Sequence, residues 1–135
     1  MKMAIFIDTG YILALINTAD EYHKQAITIA SEMKGPFVTT EAVLTEIGNA
    51  LAKLQWRTIA VSTLEDLRSD PDIEVVSISP ELFDHAVKLY SSRMDKEWGI
   101  TDCISFIVME DRGVPTALTT DDHFRQAGFR TLLLE

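Results

Sequence analysis

Four carboxylates stand where their type and spacing permit chemistry. Asp8 ends an apolar run, Glu46 lies inside a helical pattern, Asp102 opens another, and Asp121 follows a second apolar run. Carboxylates gathered at one place repel one another, and withdrawal from water raises their pKa values unless positive charge is supplied. A divalent cation supplies it. Hard ions such as Mg²⁺ or Mn²⁺ prefer carboxylate and water oxygens, and Mg²⁺ keeps several waters while binding few protein ligands. Such an ion can activate a water and stabilise charge developing on a phosphate, which is what phosphodiester hydrolysis requires. No His or Cys group has zinc spacing, and His23, His85 and His123 are scattered along the chain.

Each acid also has an ordinary role. Asp8 and Asp121 suit strand-end turns, Asp102 suits a helix N-terminus through the dipole, and Glu46 suits a surface ion pair. Asp8 departs from this because it ends a buried apolar run, where an unused carboxylate is costly. The joint placement of the four tips the reading towards a shared site.

That placement comes from the elements. Apolar runs with strand character occur at Met3 to Ile7, Phe37 to Thr39, Ile73 to Ile78, Thr116 to Thr119 and Thr131 to Leu134. Helical patterns cover Thr9 to Ile16, Glu21 to Met33, Thr40 to Leu54, Thr58 to Arg68, Glu81 to Arg93, Thr101 to Asp111 and a short stretch after Asp121. Isolated turn signals such as Gly35-Pro36, Asp70-Pro71, Ser79-Pro80 and Val114-Pro115 separate them. Alternation of strand and helix implies an α/β fold, a parallel sheet of about five strands covered on both faces through right-handed crossovers. In such a sheet Asp8 and Asp121 leave from the same carboxyl edge, where open α/β sheets bind ligands. Helices begin at that edge, which brings Asp102 there too. Glu46 lies about two turns into its helix, roughly 9 Å from its start at ~1.5 Å per residue, so that helix must lean over the site. Geometry alone ranks it fourth.

Within the helices, Cys103, Ile104, Phe106, Ile107, Val108 and Met109 make one stretch apolar nearly all round, so it must be deeply buried. By contrast Val43, Leu44, Ile47, Ala50, Leu51 and Leu54 share a single arc, with Glu46, Asn49 and Lys53 on its flank.

Length and composition set limits. At 135 residues and 47% hydrophobic, the chain fits one domain, residues 1–135, with a core of its own. The apolar run within Met1 to Asp8 is too short for a signal peptide, and no stretch reaches membrane length, so a soluble cytoplasmic protein is expected. The lone Cys103 cannot form an internal disulfide and reads as a small buried hydrophobe. A net charge of −9 opposes broad nucleic-acid binding, which relies on Lys and Arg against phosphates. Metal held among the acids, or a basic partner over the acidic face, reconciles the two.

In this order and on these elements, four fragments resemble the PIN-domain family, and more narrowly its VapC-like nuclease toxins. Ile5-Phe6-Ile7-Asp8-Thr9 resembles the family's strand-end Asp with its following Ser or Thr. Glu46-Ile47-Gly48-Asn49-Ala50-Leu51 is similar to its helical Glu followed by Asn-Ala-Leu. Thr101-Asp102-Cys103-Ile104-Ser105-Phe106 resembles the third acid at a helix start, and Thr119-Thr120-Asp121-Asp122-His123-Phe124 the Thr-x-Asp-x-x-Phe that supplies the fourth. The resemblance implies a three-layer α/β/α fold and a Mg²⁺- or Mn²⁺-dependent endoribonuclease with Asp8, Glu46, Asp102 and Asp121 as catalytic acids. Asp8, Asp102 and Asp121 are then the metal ligands. It further implies a homodimer, and a cognate antitoxin that inhibits by occupying the acidic groove. It also gives the reason, missing from geometry, to place Glu46 in the site. Thr9 and Thr119 match positions whose hydroxyls support the acids, and Asp122 is expected as a helix cap beside Asp121.

Arg93, Lys96 and Trp98 precede Asp102 in a polar stretch that suits phosphate contact and base stacking, with Trp56, Arg57, Lys53 and Arg125 as lesser candidates. The ordinary reading is a Trp98 packed on the domain among solvated charges. Two other functions compete with the nuclease: a non-catalytic PIN-like binding module whose acids attract a basic partner, and a small metal-dependent phosphohydrolase. An Asp-nucleophile phosphatase wants a second Asp two residues after the first, where this chain has Gly10. A receiver domain wants an acidic pair near the first strand and a late lysine, and neither is found.

Overall fold

The computed structural model describes residues 3–135; Met1 and Lys2 of the N-terminal stretch lie outside the described residues. Five short strands run β1 (Ile5–Ile7), β2 (Phe37–Thr40), β3 (Ile73–Val76), β4 (Thr116–Leu118) and β5 (Arg130–Thr131). Seven helices intervene: α1 (Thr9–Ile16), α2 (His23–Glu32), α3 (Glu41–Ala50), α4 (Leu54–Ser69), α5 (Pro80–Ser92), α6 (Ile100–Arg112) and α7 (Asp122–Gln126). The strands form one parallel sheet in the order β3-β2-β1-β4-β5.

This order decides where a site can form. From β1 the chain moves outward through β2 to β3, then returns to β4 on the other side of β1. Right-handed crossovers therefore put α1 to α4 on one face and α5 to α7 on the other. The packing agrees, with α1 against α2 and α3, α3 against α4, and α6 against α5 and α7. The reversal falls between β1 and β4, and open sheets of this kind hold ligands beyond the carboxyl ends of the strands at such a point.

Residues of β1 and β4 are buried on both faces, as central strands of a covered sheet require: Phe6, Ile7, Ala117 and Leu118 all belong to the core. Helix α6 is the other pillar. Cys103, Ile104, Phe106, Val108 and Met109 are buried all round it, as its pattern demanded. It stops at Gly113, whose φ of 63° is the left-handed conformation that glycine adopts without strain, and Val114 N–H closes back on Met109 O. At the start of α5, Ser79 accepts the Leu82 N–H and Pro80 takes the first helical position.

Two expectations from the pattern fail for reasons of packing. The helix read from Thr40 to Leu54 breaks after Ala50, although Leu51, Ala52, Lys53 and Leu54 are good helix formers. Lys53 is extended and begins α4, which turns back to pack on β3, leaving Leu54 exposed while Leu51 stays buried. The last strand, read from Thr131 to Leu134, is paired only at Arg130–Thr131. Leu132–Leu134 then coil into one 3₁₀ turn that tucks Leu133 into the core against β4.

An aromatic cluster lies under the carboxyl edge. The Phe124 ring packs against Phe106 (centroids 4.9 Å apart, edge-on) and Phe6 (6.0 Å), and Phe106 meets Trp98 edge-on at 5.0 Å. Phe124 is fully buried and is the only core residue of the five-residue α7, so it anchors the segment that carries Asp121. Phe124→Ala is expected to lower unfolding stability by roughly 3–5 kcal/mol, the cost of an emptied aromatic site, with Phe124→Leu losing markedly less. Urea denaturation monitored by circular dichroism measures both; equal midpoints for Phe124→Ala and the wild type would remove this anchor from the account.

Candidate active site

Asp8 is the residue after β1, and Thr119 is the residue after β4. Their main chains are adjacent, the Asp8 N–H donating to Leu118 O at 3.0 Å. Thr119 Oγ1 donates to Asp8 Oδ2 at 2.7 Å and accepts the Asp121 backbone N–H at 3.0 Å. One buried hydroxyl thus joins two of the four acids. Helix α1 presses close at this point: a Cβ on Gly10 would fall 2.1 Å from Thr120 Oγ1, so a side chain there requires Thr120 in the loop after β4 to move.

Asp102 sits in the first turn of α6, where its Oδ2 accepts the Gly99 N–H at 3.0 Å and satisfies a free donor of the helix start. Asp121 caps α7, its Oδ1 accepting the His123 N–H at 2.9 Å. Asp122, expected as that cap, is instead the first helical residue and pairs with Arg125 at 3.1 Å. The backbone N–H two residues on lies within reach of Asp121, whose extended φ and ψ suit a cap.

Glu46 lies midway along α3 on its exposed side, and α3 does approach the site. Thr9 Oγ1, from the first residue of α1, donates to Glu46 Oε1 at 2.6 Å. Glu46 and Asp102 both stand near enough to Asp8 for their charges to disfavour its ionisation.

The structure also brings in a residue that the sequence reading set aside as scattered. His123 Nδ1 lies 3.0 Å from Asp102 Oδ2 and 3.2 Å from Asp121 Oδ1. Among the described residues, Asp102, Asp121 and His123 are the group whose potential ligand atoms fall within 4.8 Å of one another. Asp8 stands outside this tight group, its carboxylate turned into the buried Thr119. The signal available was position: a His two residues beyond a helix-capping Asp lies in the first turn, close to the cap.

No Lys or Arg forms an ion pair with any of the four acids among the described residues. The electrostatics follow. Burial is the main cause that lifts the Asp8 pKa from the ordinary 3.8 to about 7, with Asp102 and Glu46 adding to it and the Thr119 hydrogen bond opposing. Burial and then the Asp121 charge push Asp102 upward, against the Gly99 and His123 hydrogen bonds. A set of hard oxygen donors with no Lys or Arg paired to it among the described residues fits a divalent ion of the Mg²⁺ or Mn²⁺ kind. The nearby Cys103 is buried, with its thiol pushed up to about 11, so it offers no thiolate.

The residues considered for holding nucleic acid fare differently. Trp98 is buried, its ring against Phe106 and its Nε1–H donating to Gln126 Oε1 at 3.1 Å, so it presents no stacking face. Arg93 lies over the Trp98 ring and is held by both oxygens of Asp95. Arg125 is paired with Asp122, and Arg57 donates to Ala52 O. Trp56 is half-buried against the core. Lys53 and Lys96 have no ion pair among the described residues.

Comparison with known proteins adds a family. A model of the PIN domain matches residues 5–130. The 23S rRNA-specific endonuclease VapC20 of Mycobacterium tuberculosis is 27% identical over 125 residues, which cover 93% of this chain and 95% of that protein. The crystal structure of Mycobacterium tuberculosis VapC20, a Sarcin-Ricin loop cleaving toxin, superposes with a TM-score of 0.86 at 26% identity, covering 93% of this chain and 96% of that one. FitAcB from Neisseria gonorrhoeae shares the fold, with a TM-score of 0.69 at 13% identity over 94% of each chain.

The raised pKa of Asp8 makes a prediction about stability in chelator. A carboxyl that binds its proton more tightly when folded stabilises the fold most below its unfolded value, and that contribution is lost as pH rises from about 4 through about 7. Asp8→Asn, which carries no charge at any pH, is therefore expected to melt above the wild type at pH 8 and level with it near pH 4. Thermal melts in EDTA across that range check this. A difference that does not change with pH would contradict the assignment.

Proposed function

Because the chain belongs to the PIN-domain family, we propose that it is a metal-dependent endoribonuclease, the toxin of a toxin-antitoxin pair. Asp8, Glu46, Asp102 and Asp121 are its catalytic acids on this reading. The observation that carries it is the convergence of these four carboxylates at the β1/β4 edge with no Lys or Arg among the described residues paired to them. The relative's description as a 23S rRNA-specific endonuclease supports RNA as the substrate.

Asp8, Asp102 and Asp121 would hold the cation, Mg²⁺ or Mn²⁺, which when bound supplies charge to activate a water and to offset the negative charge gathering on the phosphate. The protein's own groups prepare for this. Thr119 fixes Asp8 from the buried side, and Gly99 fixes Asp102 from the helix start. Thr9 holds one oxygen of Glu46, whose other oxygen accepts no hydrogen bond from the described residues and is open to a water or a ribose hydroxyl. Overall, water adds across one P–O ester bond and the leaving oxygen takes up a proton.

The acidic total charge favours a narrow RNA target over indiscriminate binding, since acids outnumber cations 21 to 12. Lys53 and Lys96 are the contacts proposed for the phosphate backbone. A cognate antitoxin and a homodimer complete the reading, and the relative's designation as a toxin supports the first. No helix among the described residues is long and apolar enough to cross a membrane, which is consistent with the proposed cytoplasmic location.

Incubation with a panel of structured RNAs in Mg²⁺, Mn²⁺ and EDTA tests the activity. Cleavage is expected in metal and not in chelator, and Asp8→Asn and Asp102→Asn are each expected to lose at least about a hundredfold in rate, the scale of removing a preorganised electrostatic group. Folded variants that both cut like the wild type would exclude this site. Tight binding to a cationic peptide with no cleavage would favour the non-catalytic module instead.

A further inference from the structure

We propose that His123 is a positioning residue: its ring N–H holds Asp102 beside Asp121, which its backbone N–H holds, in the spacing that receives the cation, and the ring is not itself a ligand. The proposal rests on the metal-site reading above and goes beyond it by giving a role to a residue outside the four acids.

The atoms support a tie rather than a ligand. His123 Nδ1 faces two acceptors, Asp102 Oδ2 at 3.0 Å and Asp121 Oδ1 at 3.2 Å. A ring nitrogen facing two carboxylate oxygens carries the proton; it donates to Asp102 Oδ2 and stands at ion-pair distance from Asp121 Oδ1. The oxygens it meets are already committed to backbone donors: Asp102 Oδ2 to Gly99 N–H, and Asp121 Oδ1 to the N–H of His123 itself. A cation seated among these three atoms would have to displace the ring proton and compete with both backbone N–H groups. The partner oxygens, Asp102 Oδ1 and Asp121 Oδ2, accept no hydrogen bond from the described residues. Those are the free faces, and hard ions prefer them to an imidazole.

His123 can do this because it is held from two sides. Its backbone N–H is part of the α7 cap, and the following Phe124 is locked in the aromatic cluster. The ring thus ties the start of α7 to the start of α6, two elements that otherwise approach each other with like charges. Partners that orient metal-binding carboxylates in this way characteristically affect affinity by about ten- to a hundredfold when removed.

The test is Mn²⁺ binding by calorimetry together with electron spin echo spectroscopy of bound Mn²⁺. His123→Ala is expected to weaken Mn²⁺ binding by about ten- to a hundredfold. His123→Asn places an amide N–H where the ring Nδ1–H stood and is expected to recover most of that loss. The wild-type Mn²⁺ spectrum is expected to show no directly coordinated nitrogen. Coordinated nitrogen in the wild type, unchanged affinity in His123→Ala, or equal losses in the Ala and Asn variants would each overturn the proposal. The wild-type spectrum decides even where a variant does not fold. Absence of Mn²⁺ binding by the wild type overturns the metal reading itself, and this inference with it.

Discussion

The Thr119 hydroxyl donates to Asp8 Oδ2 and accepts the Asp121 N–H, and through it the ends of two neighbouring strands are joined to two acids. It is fully buried, so both bonds form away from water, where an unmet partner would be expensive. From Asp121 the chain of contacts continues through His123 to Asp102 and on to the Gly99 N–H at the start of α6. Thr9 adds Glu46 from the other face. The carboxyl edge is therefore one connected polar network spread over β1, β4, α1, α3, α6 and α7, and the sheet order is what puts all six within reach.

The donors in this network are hydroxyls, backbone N–H groups and one imidazole. Elsewhere on the surface five acids do meet guanidinium or ammonium groups, among them Glu74 with Arg112, Asp84 with Lys88 and Glu135 with Arg130. The distinction is physical. A neutral donor fixes where a carboxylate points and leaves its charge in place, whereas an arginine would cancel that charge and occupy both oxygens. Holding oriented negative charge away from water is unfavourable, and burial first, with neighbouring charge second, raises the pKa values of Asp8 and Asp102. Such strain persists only where surrounding structure outweighs it, here the packed aromatic residues beneath.

The shared edge of Asp8, Asp102 and Asp121 was legible because strand polarity is a topological fact: an acid after a parallel strand or at the next helix start has few other places to be. Glu46 was not, since nothing in the pattern says how far α3 leans; the Thr9 hydroxyl that reaches it belongs to a contact 37 residues apart. His123 was invisible for another reason. Its neighbours Asp102 and Asp121 are gathered by folding, and a search for metal-type spacing along the chain looks past them. Trp98 was open to two readings from sequence, a base-stacking surface or a packed ring, and the Phe106 edge and Gln126 amide decide for the ring. The break between α3 and α4 shows the same limit from the side of propensity: every residue from Leu51 to Leu54 suits a helix, and only the need to return to β3 ends it.

The net charge of −9 then bears on the proposed chemistry in an uneven way. Arg93, Arg112, Arg125 and Arg130 are each held by a carboxylate of the chain itself, so four of the six arginines are already engaged. On the nuclease reading, the cation at the acids is the positive charge nearest the phosphate that is cut, and its pull is local and short in range once salt screens it. Discrimination between RNAs falls to the shape that can bring one phosphate to the β1/β4 edge without pressing its neighbours against acidic surface.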